Sequence, residues 1–471
     1  MDENQEKEAR IAEEFLAAID SGELNRDTLE NYSCYSPACL LRTAMQIDHG
    51  AEQYLQIKRF VEGMILDRLR EQAKIVVAFM AYDASTWIGD ELFELLAQSD
   101  RFEPYVVLTS VFNEQSDELR LKQYRDNLRY FSERKVRLLP TIDPRDNSQF
   151  TWKKLGIRPH VCIWLCPYSI YRGDFEMLNM PLDILHIYIP YGFNVVGTPN
   201  AHFNLLTHLL MWRVFYESRA TVKMAAEKCI IGDATAVYTG YPKIDAFYRN
   251  YDPNDGVWGR LMKKGDNAGK KRIIYSPHHT IEEWELLHFS TFLSNYRFML
   301  EMAKKYREDT VWVFRPHPIL KSKLLRAGTF ASEAEWDAYV AEWDALDNAM
   351  SYEQGDYAEL MMNSDAMIMD CGSFIGEYVY AQKPLLFLDS GKAIFNEFGE
   401  EIMQVHYRVP GDDFDAIEAF ITGTVIGGED SKAELRARYF RDNMDYRTES
   451  GGRSASQNIF DYLNEQLRRA W

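Results

Sequence analysis

Three short apolar runs between residues 310 and 389 constrain the fold of this chain more than any other feature. Residues 311–314, 366–369 and 385–388 form these runs, and stretches of helical periodicity separate them. The alternation predicts consecutive β-α-β units and therefore a parallel sheet. Because open parallel sheets bind ligands beyond the carboxyl ends of their strands, the residues after each run are the first candidates for a functional site.

Polar residues that suit a phosphorylated ligand follow the first two runs. Arg315 and His317 come after the first run, and Asp370, Gly372 and Ser373 come after the second. Arginine offers planar donors for phosphate, and a glycine-serine turn that opens a helix presents backbone N–H groups to an anion. Structural roles stay open, since Ser373 could equally be a helix N-cap and His317 could cap a buried carbonyl.

Two further residues extend the predicted anion site. Glu377 lies one turn into the helix after Ser373, where it could bind sugar hydroxyls or serve only as a favourable first-turn acid. The segment YSPHHT at residues 275–280 repeats the pattern of a strand that ends in histidine. We prefer His278 to His279 as the imidazole that points into the site, because His278 is closer to the strand end.

The length of 471 residues predicts two domains with extra pieces rather than one core. We predict a helical N-terminal extension (1–72), a first Rossmann-like domain (73–229), a second one (230–455) and a C-terminal helix (456–471). Residues 201–225 are predicted to be helical. Two doubly wound α/β domains in tandem would face each other across a cleft, which is a common place for a ligand.

Composition excludes several classes of function. The net charge of −19 argues against a nucleic-acid partner, and no apolar run approaches the ~20 residues of a transmembrane helix. The first predicted strand covers residues 74–82, and no GxGxxG segment follows it. The absence of this segment disfavours a dehydrogenase. The six cysteines are scattered, which is typical of free thiols in a reducing cytoplasm. No metal-binding motif is present, so neither a metal nor a separate cofactor is expected.

The segments FRPHP, DYAELMMNSDAMIMDCGSFIGEYVYAQKPLLFLD, YSPHHT and GYPKID resemble the CDP-glycerol glycerophosphotransferase family, which includes teichoic-acid primases and polymerases. The resemblance implies a metal-independent enzyme of GT-B fold. It would transfer a glycerol phosphate (polyol phosphate) or a sugar unit from a nucleotide-activated donor, expected to be CDP-glycerol, to a polymer or lipid-linked acceptor in cell-surface or capsular polymer synthesis. The site residues above would hold the donor, His317 would stabilise phosphoryl charge, and His278 would be a reserve acid or base.

One position departs from the family pattern. Family members carry a His-Gly-Thr-Pro segment whose histidine is the candidate base, and Tyr191 stands at that position here. A tyrosine of pKa ~10 is a poor base near neutrality, so Tyr191 either positions the acceptor or the chemistry differs. The Gly-Ser turn after Asp370, with Glu377 in the next helix, also resembles nucleotide-sugar enzymes of GT-B fold, so a UDP-sugar glycosyltransferase and a UDP-N-acetylglucosamine 2-epimerase-like enzyme are alternatives. Tyr191 in place of histidine adds an inactive nucleotide-binding scaffold as a third alternative. The donor base, oligomeric state and association with the inner membrane face stay open.

Overall fold

The structure, a computed structural model, describes residues 17–18, 21–23, 50–110, 117–168, 170–282, 287–352 and 357–469. Of the predicted N-terminal extension it describes mainly one long helix, Gly50–Glu71. Two of the six cysteines, Cys34 and Cys39, lie outside the described residues. No helix among the described ranges is long and apolar enough to cross a membrane.

The described strands form two sheets in which all the pairings are parallel. This confirms the prediction of an α/β fold with two doubly wound parts. The strands are β1 (Ile75–Ala81), β2 (Phe102–Leu108), β3 (Leu138–Pro140), β4 (Val161–Trp164), β5 (Leu185–Tyr188), β6 (Arg213–Tyr216), β7 (Ala236–Tyr238), β8 (Lys271–Ser276), β9 (Thr310–Phe314), β10 (Ala349–Ser351), β11 (Ala366–Met369), β12 (Leu385–Asp389) and β13 (Tyr407–Pro410).

Helices connect most of these strands. The α-helices are Gly50–Glu71, Asp90–Gln98, Asp117–Ser132, Trp152–Leu155, Pro199–Phe203, Leu206–Leu210, Arg219–Lys228, Gly256–Lys264, Phe292–Lys305, Leu320–Arg326, Glu333–Ala345, Tyr357–Met362, Phe374–Val379, Glu397–Met403, Phe414–Ala419, Ala433–Tyr439, Tyr446–Glu449 and Ala455–Gln466. The 3-10 turns are Ala84–Thr86, Gly173–Phe175, Met177–Asn179 and Pro242–Tyr248, and the π-helical turns are Phe420–Ile426 and Phe440–Met444.

Each sheet reverses its strand order at one point. The first sheet has the order β3-β2-β1-β4-β5-β6-β7, so the order reverses between β1 and β4. The second has the order β10-β9-β8-β11-β12-β13 and reverses between β8 and β11. Loops diverge at such a point and leave a crevice outside the carboxyl ends of the strands, which is where ligands of this architecture bind.

The chain divides into two compact units. The first contains the described residues up to Tyr191, Pro199–Lys243 and those from Tyr446 onward, and the second contains Gly192–Thr198 and Ile244–Asp445. These limits differ from the predicted boundaries at 229 and 455. The difference arises because β7 is still an edge strand of the first sheet, so the chain leaves the first unit only after that strand.

The prediction of a helix over residues 201–225 is wrong. The structure has two short helices, then β6, and then the Arg219–Lys228 helix. Apolar residues continue with few breaks from Leu205 to Tyr216, and periodicity cannot separate a buried strand from a buried helix in such a run.

Aromatic packing fixes β9, the strand that leads to Arg315. The rings of Phe314 and Trp343 stack with centroids 5.1 Å apart and planes inclined by 11°. Both side chains are fully buried, as is Trp312 on the same strand. Burial of such large apolar side chains is the main stabilising contribution here, and it holds in place the strand whose carboxyl end is followed by Arg315.

The C-terminal helix Ala455–Gln466 belongs to the first unit, where Leu463 is 1% exposed. We expect Leu463→Ala to lower the free energy of unfolding of this unit by about 2–5 kcal/mol, because it removes buried apolar contacts and leaves a cavity. Asn464→Ala, a change at an exposed neighbour, should alter it by less than about 0.5 kcal/mol. Denaturant unfolding measures both, and equal effects would contradict this packing.

Candidate functional site

Asp370 joins the two loops at the point where the second sheet reverses its strand order. It directly follows β11 and is 1% exposed. Its carboxylate accepts hydrogen bonds from the backbone N–H of His278, which follows the neighbouring β8, and from Thr291 through the backbone N–H (2.6 Å) and Oγ1 (2.9 Å). The oxygens of Asp370 are thus used by the protein, so any part it has in donor binding would be through the position of these loops.

Burial raises the pKa of Asp370 to about 6, although the hydrogen bonds from Thr291 and His278 oppose this rise. Near neutral pH the group is therefore mostly a carboxylate. That charge state is the one that can accept three hydrogen bonds at once.

Three histidines meet beside these loops. His278, His279 and His317 each bring a ring nitrogen within 4.8 Å of the others. The ring centroids are 4.2 Å apart for His278 and His279, 4.3 Å for His279 and His317, and 5.3 Å for His278 and His317. Sequence reasoning selected His278 and His317 and left His279 as the weaker alternative, whereas the structure brings all three together.

The hydrogen bonds of Thr280 determine which nitrogen of His278 carries its proton. Thr280 Oγ1 accepts from the backbone N–H groups of Phe289 (3.0 Å) and Ser290 (3.4 Å). The hydroxyl proton of Thr280 is therefore available for a hydrogen bond to Nδ1 of His278, at 2.9 Å. The backbone N–H of Thr280 also donates to this Nδ1, at 3.4 Å. Because Nδ1 of His278 accepts, the proton of the neutral ring is on Nε2.

The same assignment holds for His317. Its Nδ1 accepts from the backbone N–H of Ile319 at 3.3 Å, and the flanking Pro316 and Pro318 restrict the backbone that carries the ring. The proton of neutral His317 is therefore also on Nε2. His278 and His317 each present an N–H donor.

Burial keeps these rings neutral near pH 7. It lowers the pKa of His279 to about 4 and that of His317 to about 3, and it places the pKa of His278 well below 6.5. Lys323 adds to each shift through its positive charge. The three rings therefore act as neutral groups.

The cluster has the spacing of a candidate metal site, but its hydrogen bonds do not suit one. A metal-bound imidazole needs a free lone pair, and its other nitrogen normally donates to an acceptor. In His278 and His317 the Nδ1 lone pair already accepts from the protein, and Nε2 carries the proton. Two of the three rings are thus donors, which fits an anion better than a cation.

Arg315 adds a positive charge to this edge of the sheet. Its guanidinium lies 5.4 Å from the ring centroids of both Tyr357 and Phe374. Among the described residues it forms no side-chain hydrogen bond or ion pair. Burial lowers the pKa of Arg315 below its ordinary value, and Tyr357, Cys371 and Glu377 partly offset this. Its planar donors remain available for an anion.

The turn after β11 also supplies backbone donors. Within the described part of the chain, the backbone N–H groups of Gly372 and Ser373 donate to no other residue. The Ser373 side chain does not cap the helix Phe374–Val379 that it precedes. A Cβ on Gly372 would lie 3.3 Å from Val196 and 3.4 Å from Phe289, so a side chain there would be tightly placed.

Glu377 is 2% exposed in the same helix. Its charge favours the protonated form of Arg315. The Glu377 side chain is buried in this conformation, and its contact with a ribose stays a prediction. Gly376, its neighbour, packs against Phe193, whose Cγ would lie 2.6 Å from an added Cβ.

Tyr191 follows β5 in the first unit and is 37% exposed. Its hydroxyl lies 3.5 Å from that of Tyr168, which follows β4 and is 44% exposed. Desolvation by the surrounding protein atoms raises the pKa of Tyr191 well above 10. The charge and hydrogen bond of Tyr168 add to this rise. Tyr191 is therefore protonated at neutral pH. Sequence reasoning missed Tyr168, although its place just after the apolar run at residues 161–166 was a usable signal.

A family described as CDP-glycerol:poly(glycerophosphate) glycerophosphotransferase matches residues 194–464, which is more than half of the chain. The chain belongs to this family.

Two curated relatives come from Staphylococcus aureus (strain NCTC 8325 / PS 47). The teichoic acid ribitol-phosphate polymerase TarK is 22% identical over 265 residues, which cover 55% of this chain and 44% of TarK. The teichoic acid ribitol-phosphate polymerase TarL is 22% identical over 290 residues, which cover 59% of this chain and 45% of TarL. The matched region therefore spans less than half the length of either relative.

Solved structures share the fold. A single-residue variant of the wall teichoic acid polymerase TagF is similar with a TM-score of 0.53 at 14% identity, over 87% of this chain and 93% of that chain. A structure of TagF itself gives a TM-score of 0.52 at 13% identity, over 91% and 98% of the two chains. The fold is thus GT-B-like, as the sequence resemblance implied.

Lowered histidine pKa values predict acid sensitivity. Between pH 6.5 and about 4 the unfolded chain binds protons on these rings while the folded chain does not, so the free energy of unfolding falls as the pH falls. Asp370 acts in the opposite direction, because its raised pKa lets the folded state bind a proton first. We expect His317→Asn to flatten the fall by about 1–3 kcal/mol over this range.

Denaturant unfolding at a series of pH values measures this effect. An unchanged slope in the variant would contradict the assignment of His317 as a buried neutral ring.

Proposed function

We propose that this protein transfers a polyol phosphate, such as glycerol phosphate, from a CDP-linked donor to a hydroxyl acceptor during synthesis of a cell-surface polymer. One observation carries the proposal. At the carboxyl ends of β8, β9 and β11, the protein gathers hydrogen-bond donors that have no acceptor among the described residues. Membership of the glycerophosphotransferase family supports this class of reaction.

The donors have a chemistry that suits a pyrophosphate. Arg315 would bind one phosphate through its planar fork, and the backbone N–H groups of Gly372 and Ser373 would bind oxygens of the same group. Nε2–H of His317 and of His278 would donate to the phosphoryl group that is transferred. Glu377 would contact the ribose.

In the proposed reaction an acceptor hydroxyl oxygen attacks the phosphorus of the polyol phosphate. The bond from this phosphorus to the oxygen of the nucleoside monophosphate breaks, and CMP leaves with that oxygen. Negative charge increases on the leaving oxygen and is spread over the phosphoryl oxygens. Neutral N–H donors and Arg315, held in place before the reaction, stabilise this charge.

The proton of the acceptor hydroxyl does not require Tyr191 as a base. Because its pKa is raised, Tyr191 keeps its proton at neutral pH, so it is not available as a general base but can still donate and accept hydrogen bonds. Phosphoryl transfer commonly passes through a loose transition state, in which the attacking oxygen is activated little before bond formation. We assign Tyr191 to positioning of the acceptor, and the hydroxyl proton passes late in the step to a phosphate oxygen of the departing CMP.

Nucleotide binding tests the donor site. We expect CDP to raise the melting temperature more than UDP, GDP or ADP, since a ligand that binds only the folded state stabilises it. Arg315→Met and His317→Ala should each reduce the shift, with losses in CDP affinity of about tenfold or more for Arg315→Met. Arg307→Met is the matched control, because Arg307 is exposed and pairs with Glu308.

The control variant should keep the full shift. Selectivity for UDP would favour a UDP-sugar enzyme instead, whereas CDP binding without transfer from CDP-glycerol or CDP-ribitol to any acceptor would favour a scaffold. No shift with any nucleotide would contradict the proposed site.

We further propose that the transfer needs no metal, since His278 and His317 offer donors rather than free lone pairs. Treatment with EDTA should leave CDP affinity and transfer rate unchanged within about twofold. A transfer rate lost with EDTA and restored by a divalent cation would contradict this assignment.

A further inference from the structure

A cavity in the first unit is separate from the residues discussed above. It lies between the Gly50–Glu71 helix and the residues at the amino ends of β5 and β6. The space open to the centre of a water molecule is ≈ 60 Å³, several times the roughly 10–15 Å³ that one water needs. Tyr191 follows the carboxyl end of β5, so this cavity is at the opposite edge of the sheet.

Contacts on both sides of the cavity fix the helix to the unit. Near its start, the Tyr54 hydroxyl donates to the carbonyl oxygen of Leu209 at 2.8 Å. Near its end, Arg68 forms an ion pair with Asp183 at 2.8 Å. The helix is held at two places and the cavity lies between them, so the space is part of the folded arrangement.

The walls are mostly apolar. Ile57, Val61 and Ile65 face it from the helix, and Leu182, Ile184 and Trp212 face it from the sheet side. Such a surface favours an apolar ligand over water, which would lose hydrogen bonds against these walls.

His186 places one hydrogen-bond donor in this cavity. The indole N–H of Trp164 donates to Nδ1 of His186 at 3.1 Å, and because an indole nitrogen can only donate, Nδ1 is the acceptor. The proton of the ring is therefore on Nε2. His186 is 5% exposed, and its buried Nε2 has no hydrogen-bond partner among the described residues.

The charges that line the cavity already balance each other. Lys58 forms an ion pair with Glu62, and it also donates to the carbonyl oxygen of Leu210 at 3.4 Å. An anionic ligand would meet the carboxylate and a cationic one would meet the ammonium group. A neutral ligand avoids both costs.

We infer that this cavity binds a small, neutral, mostly apolar molecule whose single acceptor, a carbonyl or hydroxyl oxygen, takes the hydrogen bond from His186 Nε2. The size, the apolar walls, the balanced charges and the unpartnered donor of His186 all select this class of ligand. The site does not depend on the proposed transfer reaction, and the ligand would act as an effector or a stabiliser rather than as a substrate.

A matched pair of probes tests the inference on the full chain. Cyclohexanone carries the acceptor, and methylenecyclohexane has the same shape without it. Titrations followed by the methyl resonances of Ile57, Ile65 and Ile184 locate the site and give both affinities. We expect cyclohexanone to bind about tenfold more tightly, because only it satisfies the buried donor.

Two variants and one control complete the test. His186→Phe should bring the ratio of the two affinities close to one, and Val61→Phe, which fills the cavity from the helix, should abolish binding of both probes. His208→Phe, the same change at another buried histidine of this unit that does not line the cavity, should keep the wild-type ratio.

Two results would overturn the inference. One is an unchanged ratio in His186→Phe. The other is the absence of any probe-induced shift at these methyl groups in the wild type, which would show that the cavity holds only water or residues of the chain itself.

Discussion

The candidate site depends on one buried carboxylate. Asp370 accepts hydrogen bonds from the loop after β8 and from Thr291, so it fixes these segments next to the turn after its own strand. These hydrogen bonds connect the two loops that diverge at the strand-order reversal, the one after β8 and the one after β11. His278 takes its place from the bond to Asp370, and its ring lies next to those of His279 and His317. A carboxylate whose oxygens are engaged within the protein thereby positions the donors of the candidate site.

The two units differ in the chemistry at the carboxyl edges of their sheets. At its carboxyl edge the second unit gathers Arg315, neutral imidazoles, and backbone N–H groups that donate to no other described residue. The first unit presents the hydroxyls and rings of Tyr168 and Tyr191. The edge of the second unit suits an anion, and the edge of the first unit suits a hydroxylated molecule. In the proposed transfer, the edge of the second unit would take the nucleotide-linked phosphate and the edge of the first unit would take the acceptor hydroxyl.

Much of this arrangement could be predicted from the sequence, because it depends on local pattern. Apolar runs of strand length marked β9, β11 and β12, and the polar residues after β9 and β11 marked the edge of the second sheet. The strand β6 was missed because its apolar residues continue those of the preceding helix. The return of the C-terminal helix to the first unit, the loop contacts of Asp370 and the proton positions of the histidines depend on contacts between distant residues, which no local pattern reveals.

The central claim is that His278 and His317 are neutral and carry their protons on Nε2. Two-bond ¹H–¹⁵N correlation spectra of ¹⁵N-histidine-labelled protein at pH 7 distinguish the two tautomers directly. The account predicts Nε2–H tautomers for both rings, with Nε2 shifts that change when CDP binds. Protons on Nδ1 in either ring would contradict it, because the site would then offer lone pairs where the account requires donors.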